Sequence, residues 1–350
     1  MPENFQSNPT ADVRRLTALW GFSEAAFGGI LHALKIPFTG MLLGSAAIIF
    51  ISLIANASKD KTAVLKSTLI VILIKAFVSP YSSITSYFAV LLQGVFGYIL
   101  FSNIKSQRSA AIMLGFFTMF FSALQKLIVI TILFGNSFWE SIDVFVNYVL
   151  KQIGIQNINP SLSISLFIVL LYAGIHIFTG IFVGLKIVDI PAWLQKEYGY
   201  IDSQYIFSIK TDDYFPSTSK PKTKRWWKRK SGIFMLVVFG IIAALSFLYP
   251  DAFEGLGTTI IVMVVRSILI TLIWYFIISP FLLKHFKKVV EKKNFKYASQ
   301  INKATELFPD FKKVINFSWK ESSKLKGIYR IRKFLLHSLA LLLIIEIGER

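Results

Sequence analysis

The sequence predicts an all-α fold: a polytopic membrane bundle of about eight transmembrane helices with both termini on the cytoplasmic side. Composition is the first observation behind this. Of the 350 residues, 54% are hydrophobic and 33 are Phe, and the mean hydropathy is +0.60, far from the balance of a soluble domain. The second is that the apolar residues come in unbroken runs that match the roughly 20 residues a helix needs to cross a bilayer. The third is charge placement: 38 Lys and Arg against 19 Asp and Glu give a net charge of +19, and the cations lie in the gaps between runs, where membrane topology puts them. That distribution assigns the charge to topology and lipid, so no nucleic-acid partner is expected. The runs lack the period-two alternation of an outer-membrane barrel. The absence of Cys excludes disulfides, thiolate metal sites and Cys nucleophiles.

Residues 1–16 are polar and form a cytoplasmic lead-in without the short apolar core and small-residue site of a cleaved signal. The spans are expected at 17–35, 41–57, 63–78, 86–104, 110–134, 161–186, 232–249 and 258–283. With Arg14 and Arg15 inside, the same side collects Lys59 and Lys61, then Lys105 and Arg108, then the basic cluster of 220–230, then the 284–333 region. The opposite connections 36–40, 79–85 and 250–257 hold no Lys or Arg, and 135–160 has only Lys151 beside Glu140 and Asp143. Every loop thus agrees on one orientation. The first six spans, 17–189, form the expected membrane core. Within 135–160, Phe138, Trp139, Ile142, Phe145, Val146 and Val149 recur at three- and four-residue intervals, which predicts an amphipathic helix on the outer interface, floating at the headgroups or acting as a lid.

The connection 190–231 ends in KPKTKRWWKRK, in which Lys224, Arg225, Trp226, Trp227 and Lys228 combine indoles suited to headgroup depth with cations suited to anionic lipid. Two further spans fill 232–283. Residues 284–350 read as a basic cytoplasmic tail of two short helices broken at Pro309, closed by an apolar run at 334–345 that is too short to span comfortably. That run is expected at the interface or packed on a partner, with a ninth span as the alternative.

Isolated polar residues inside the runs are the site candidates, because an ionisable group in hydrocarbon needs a partner or a cavity. Lys75 and Gln93 both lie toward the outside, joined by a cation-free loop that carries Tyr81 and leads to Tyr87. Either they line an outward-facing ligand pocket suited to an anionic or carbonyl-bearing solute, or Lys75 snorkels to the headgroups and Gln93 bonds another helix. Gln125, Lys126 and Arg266 are also intramembrane, with Glu24 as a counter-ion available to either cation. His176, between Tyr172 and Thr179, reads as an interhelical hydrogen-bonding group. The four His residues show no metal-ligand spacing, and no His-Glu-x-x-His, Gly-x-Ser-x-Gly or Walker sequence occurs. No catalytic residue, metal or cofactor is therefore expected. Ala25, Gly29 and Ala33 recur every fourth residue, a small-residue stripe on which another helix, internal or external, can dock.

The loop KIPFTG after the first span, the stretch LLGSAA opening the second and the order LIVILIKAFVSPYSSITSYFAVLLQGVFG resemble the substrate-binding membrane subunits (S components) of energy-coupling-factor transporters, including related cobalt/nickel-type permeases. The resemblance covers mainly residues 20–101. It implies a six-helix unit with an external ligand pocket, a small-residue face for a transmembrane coupling subunit, and ATPases beyond it. The chain begins MPENF rather than with the Met-His-Ile-Pro of metal-loading relatives, so cobalt or nickel is not expected. Two extra spans and the basic tail also exceed a minimal binding subunit. The expected function is uptake of a small organic solute, a vitamin or cofactor precursor, across the inner (cytoplasmic) membrane; the alternative is a non-transporting scaffold of a larger membrane complex.

Overall fold

The computed structural model describes residues 9–33, 38–79, 82–153, 163–190, 192–193 and 256–344, and all regular structure among them is helical. The expected span at 232–249, the loop residue Tyr81 and the basic-aromatic cluster Lys224, Arg225, Trp226, Trp227 and Lys228 lie outside the described residues. Among the described residues, five helices are long and apolar enough to cross a membrane: Thr39–Ala57, Ile84–Asn103, Gln107–Phe134, Ile164–Ile187 and the stretch Val262–Leu282.

The chain divides into two units. The first contains 1–126, 172–212 and 278–350. It opens with α1 (Pro9–Phe22), a π-helical turn (Ser23–Phe27) and α2 (Gly28–Ala33), followed by α3 (Thr39–Ala57), α4 (Ala63–Val78) and α5 (Ile84–Asn103). It also takes the start of α6 (Gln107–Phe134) and the later part of α8 (Ile164–Ile187), then α10 (Ser279–Glu306), α11 (Phe308–Glu321) and α12 (Gly327–Ile344). Its core is built where α1, α3, α4 and α5 meet, around Leu19, Trp20, Ile48, Ile51, Ile54, Val71, Leu73 and Ile74. Helix α4 has 16 residues, just under the usual length of a crossing, and is the enclosed helix that α1, α3, α5 and α10 surround. Its start is set by Asp60, whose carboxylate accepts from the Thr62 N–H at 2.8 Å and from Lys66 at 2.8 Å, an Asx-type turn.

The basic segment after residue 283 folds back rather than trailing. Helix α11 places Phe308, Phe311 and Val314 on one buried face, and Phe22 meets the rings of Phe308 and Phe311 edge-on, with centroids 5.0 and 5.7 Å apart. Leu307 separates α10 from α11, with Pro309 in the first turn of α11, where its missing N–H costs nothing. Helix α12 packs on α11, and Arg15 donates to the Leu342 carbonyl.

Close contact between α6 and α8 depends on glycine. A Cβ on Gly115 would overlap the Gly180 carbonyl and one on Gly180 the Gly115 carbonyl, while one on Gly184 would crowd the backbone of Ala111 and Ile112. Two small-xxx-small pairs, Ala111/Gly115 and Gly180/Gly184, thus face each other, an arrangement that lets backbones touch where lipid supplies no hydrophobic drive.

The second unit contains 127–171 and 213–277. Its described parts are the end of α6, α7 (Ser137–Gln152), the start of α8 and α9 (Leu256–Ile273) with most of the following π-turn, Trp274–Ile278. Helix α7 buries no residue fully; the Trp139 indole donates to Thr131 at 3.0 Å. Arg266 of α9 donates from Nε to the Ile132 carbonyl at 3.3 Å, near the end of α6, where a cation complements the helix dipole. Asp143 ties α7 to the start of α8, accepting from the Ser165 N–H at 2.6 Å and from the hydroxyls of Ser163 and Ser165 at 2.9 and 2.8 Å. Burial pushes the Asp143 carboxyl up, but these hydrogen bonds outweigh it and hold the group below its ordinary value.

Two outcomes follow from these contacts. Gly115→Ala and Gly180→Ala each lower the unfolding free energy in detergent by about 1–3 kcal/mol, whereas Gly174→Ala, where a Cβ meets nothing within 4 Å, does not; chemical unfolding monitored by circular dichroism makes the comparison. Because the folded-state pKa of Asp143 is depressed, its contribution is complete above the ordinary carboxylate value, about 4, and is lost as pH falls through the depressed value. Amide exchange at Ser165 therefore accelerates below that range in the wild type beyond the intrinsic pH effect, and Asp143→Asn removes this step; identical profiles would count against the staple.

Candidate functional site

The candidate site is built where α1, α4 and α5 enclose polar side chains. On α1 and the π-turn that continues it, Thr17 and Glu24 are seven residues apart; on α4, Ser67 and Lys75 are eight apart. Both offsets amount to about two helical turns, so each helix presents two polar positions on one face, and the two faces meet. Thr17 and Ser67 hydrogen-bond through their hydroxyls at 2.7 Å in the core. Two turns further, Lys75 Nζ lies 2.7 Å from Glu24 Oε2, with side chains only 4% and 3% exposed. Glu24 is thus the counter-ion of Lys75, not of Lys126 or Arg266. Lys126 is exposed, and Arg266 reaches the end of α6.

Glu24 sits inside the π-turn. The Gly28 N–H bonds to the Ser23 carbonyl, five residues back, and the Ser23 hydroxyl donates to the Trp20 carbonyl at 2.8 Å. Such single-turn π insertions recur at functional positions in helices. The turn also divides the small-residue stripe. Ala25 faces the core at 3% exposure, Gly29 is exposed with open space where a Cβ would stand, and Ala33 closes α2. The extra residue of a π-turn shifts the phase of the helix that follows it.

Tyr87 completes the ion-pair level. Its ring centroid lies 6.0 Å from Lys75 Nζ, at the outer limit of a cation–π contact, and its hydroxyl donates to the Ser79 carbonyl at 3.3 Å. Gln93 is buried at another depth. Gly94 abuts Thr68, so Gln93 lies level with the Ser67–Thr68 turn, about 9 Å along the axis from Tyr87 at 1.5 Å per residue. Lys75 and Tyr87 are therefore brought together and Gln93 is set apart from them. Its Oε1 is buried without a hydrogen-bond partner, an arrangement that costs about 1–3 kcal/mol. Gln125 donates to the Thr85 carbonyl at 3.4 Å.

A second polar position lies at His176, 1% exposed, with Nδ1 3.0 Å from the Tyr172 carbonyl and its ring 4.3 Å from that of Tyr172. Phe38, 6.1 Å from the His176 ring, holds the left-handed conformation at φ 61, an uncommon state for a non-glycine residue. Among the described residues no group of three or more His, Cys, Asp and Glu could hold a metal ion.

No protein-family model, curated protein or solved structure matches the chain. The site is accordingly argued from its own chemistry. It consists of an ammonium and a carboxylate enclosed in apolar helices and joined by a charge-assisted hydrogen bond, with a tyrosine ring against the ammonium side.

Breaking the pair from one side strands a buried charge. Lys75→Ala or Glu24→Ala alone is expected to cost about 3–5 kcal/mol, while the apolar pair Glu24→Leu/Lys75→Met recovers most or all of it. Unfolding midpoints of the four proteins form the double-mutant cycle; single losses that simply add would show that the two groups do not interact.

Proposed function

We propose that this chain is a multi-pass protein of the inner (cytoplasmic) membrane that binds a small organic solute, a vitamin or cofactor precursor, from the external side for ATP-coupled uptake through partner subunits. The observation that carries this reading is the enclosed Glu24–Lys75 pair beside Tyr87. Ionisable groups inside membrane helices are costly and concentrate where a substrate, ion or ligand is handled, and here the carboxylate is mounted on a π-turn. The loop charges favour eight spans with both termini cytoplasmic. In that topology α1 and α4 run outward, and Glu24, Lys75 and Tyr87 occupy the outer half of the membrane near the cation-free connections.

A solute bearing a carboxylate or carbonyl is the chemistry suited to Lys75. It replaces Glu24 at the ammonium while the Tyr87 ring packs on it. Gln93 offers an unpartnered acceptor deeper in the core, and Tyr81 is assigned to the mouth on residue type alone. The open surface at Gly29 suits a transmembrane coupling subunit with ATPases behind it, in keeping with the likeness of residues 20–101 to S components. The 224–228 cluster is assigned to anionic headgroups on its composition.

Native purification followed by mass spectrometry of bound small molecules and subunits tests this reading. The expected result is an ATPase pair together with a carboxylate- or carbonyl-bearing solute. Recovery of envelope or secretion subunits with neither of these would favour a scaffold instead. With the solute in hand, Glu24→Leu/Lys75→Met, which retains a compensated core, should bind it at least about tenfold more weakly, as expected for losing a hydrogen bond to a charged group; unchanged affinity would remove Lys75 from the site.

A further inference from the structure

We propose that the groove between α12 and the turn following α8 binds the headgroup of an anionic phospholipid. After α8 ends at Ile187, the Trp193 N–H donates to the Asp189 carbonyl at 2.9 Å, and this turn brings the indole against α12. Trp193, Leu325, Tyr329, Arg332, Lys333 and Leu336 line most of a cavity of about 410 Å³. Among the described residues two cations, Arg332 and Lys333, line this space and no carboxylate does. Two described acids close by in sequence have cations of their own: Glu321 lies 3.1 Å from Lys324, and Asp189 3.8 Å from Lys186. Arg330 stacks on Trp319 at 4.2 Å, which leaves Arg332 and Lys333 as the cations of the groove.

The chemistry of the ligand follows from what lies beside these cations. Ile328, Ile331 and Leu335, at three- and four-residue spacing on α12, are 76%, 53% and 53% exposed. A helix with an apolar stripe flanked by cations and aromatic rings fits the membrane interface, and clustered cations at the end of a membrane helix attract anionic lipid. One ligand satisfies both surfaces: a phosphodiester on Arg332 and Lys333, tied to acyl chains that cover Ile328, Ile331 and Leu335. A free phosphate would leave the stripe bare. A phosphocholine would bring an ammonium into a groove that already holds two cations. Trp193 and Tyr329 supply the amphipathic rings that favour headgroup depth.

The full-length protein, reconstituted in nanodiscs of phosphatidylcholine with a minority of phosphatidylglycerol, provides the test. Lipids retained on release are counted by native mass spectrometry, and phosphatidylglycerol is expected to be enriched over phosphatidylcholine about 25-fold relative to its share of the bilayer, at about a fivefold gain for each of the two cations. Arg332→Gln/Lys333→Gln should return retention to that share. Raising salt on the wild type should do the same, because screening weakens exposed charge pairs; this arm needs no variant and decides the matter if the double variant does not fold. Equal retention of both lipids by the wild type, retention unaffected by both the substitutions and salt, or displacement of the lipid by inorganic phosphate at low concentration would each overturn the proposal, the last by showing a site for free phosphate.

Discussion

The structure of the first unit depends on the ion pair between Glu24 and Lys75. Two opposite charges buried at 2.7 Å tolerate an apolar core only while each satisfies the other. Their pairing therefore fixes how far α1 reaches along α4 and which faces of the two helices meet. The Thr17–Ser67 hydrogen bond repeats the constraint two turns away. Two polar contacts at matched spacing define both the register and the rotation of one helix against the other, which apolar side chains alone specify poorly. Helix α4 can be short because it is enclosed by its neighbours.

Around this polar seam the packing follows membrane rules rather than those of soluble bundles. Where lipid offers no hydrophobic drive between helices, close backbone approach contributes through dispersion, and Gly115, Gly180 and Gly184 provide it. On α5, Gly94 and Gly97 instead make room for side chains, Thr68 of α4 and Ile51 of α3. The seam fixes orientation, and the glycine contacts fix distance.

Much of the helical architecture was legible in the sequence because unbroken apolar runs have one physical solution in lipid. The amphipathic period over Phe138–Val149 likewise corresponds to α7. Lys75, Glu24 and Gln93 stood out as polar residues in apolar runs, but which pairs form is a matter of relative register, and that is carried by no local pattern. The matched offsets Thr17/Glu24 and Ser67/Lys75 were the available signal, as were the small-xxx-small pairs on α6 and α8. The fold-back of α11 was not legible, because Phe308, Phe311 and Val314 spell the same stripe whether they meet lipid headgroups or the Phe22 ring. The continuation of helix from α9 through a π-turn into α10 was also hidden, since π-turns have no composition of their own.

The π-turn at Ser23–Phe27 uncouples two periods that coincide in a uniform helix. In an ordinary α-helix a residue type recurring every fourth position traces a nearly straight furrow on the surface. Here the winding loosens in mid-course, so everything after Phe27 is phase-shifted relative to what precedes it. A single stretch of chain can thereby turn Ala25 and Glu24 toward its own interior and still offer Gly29 to whatever lies outside, serving two neighbours from what reads as one line of small residues.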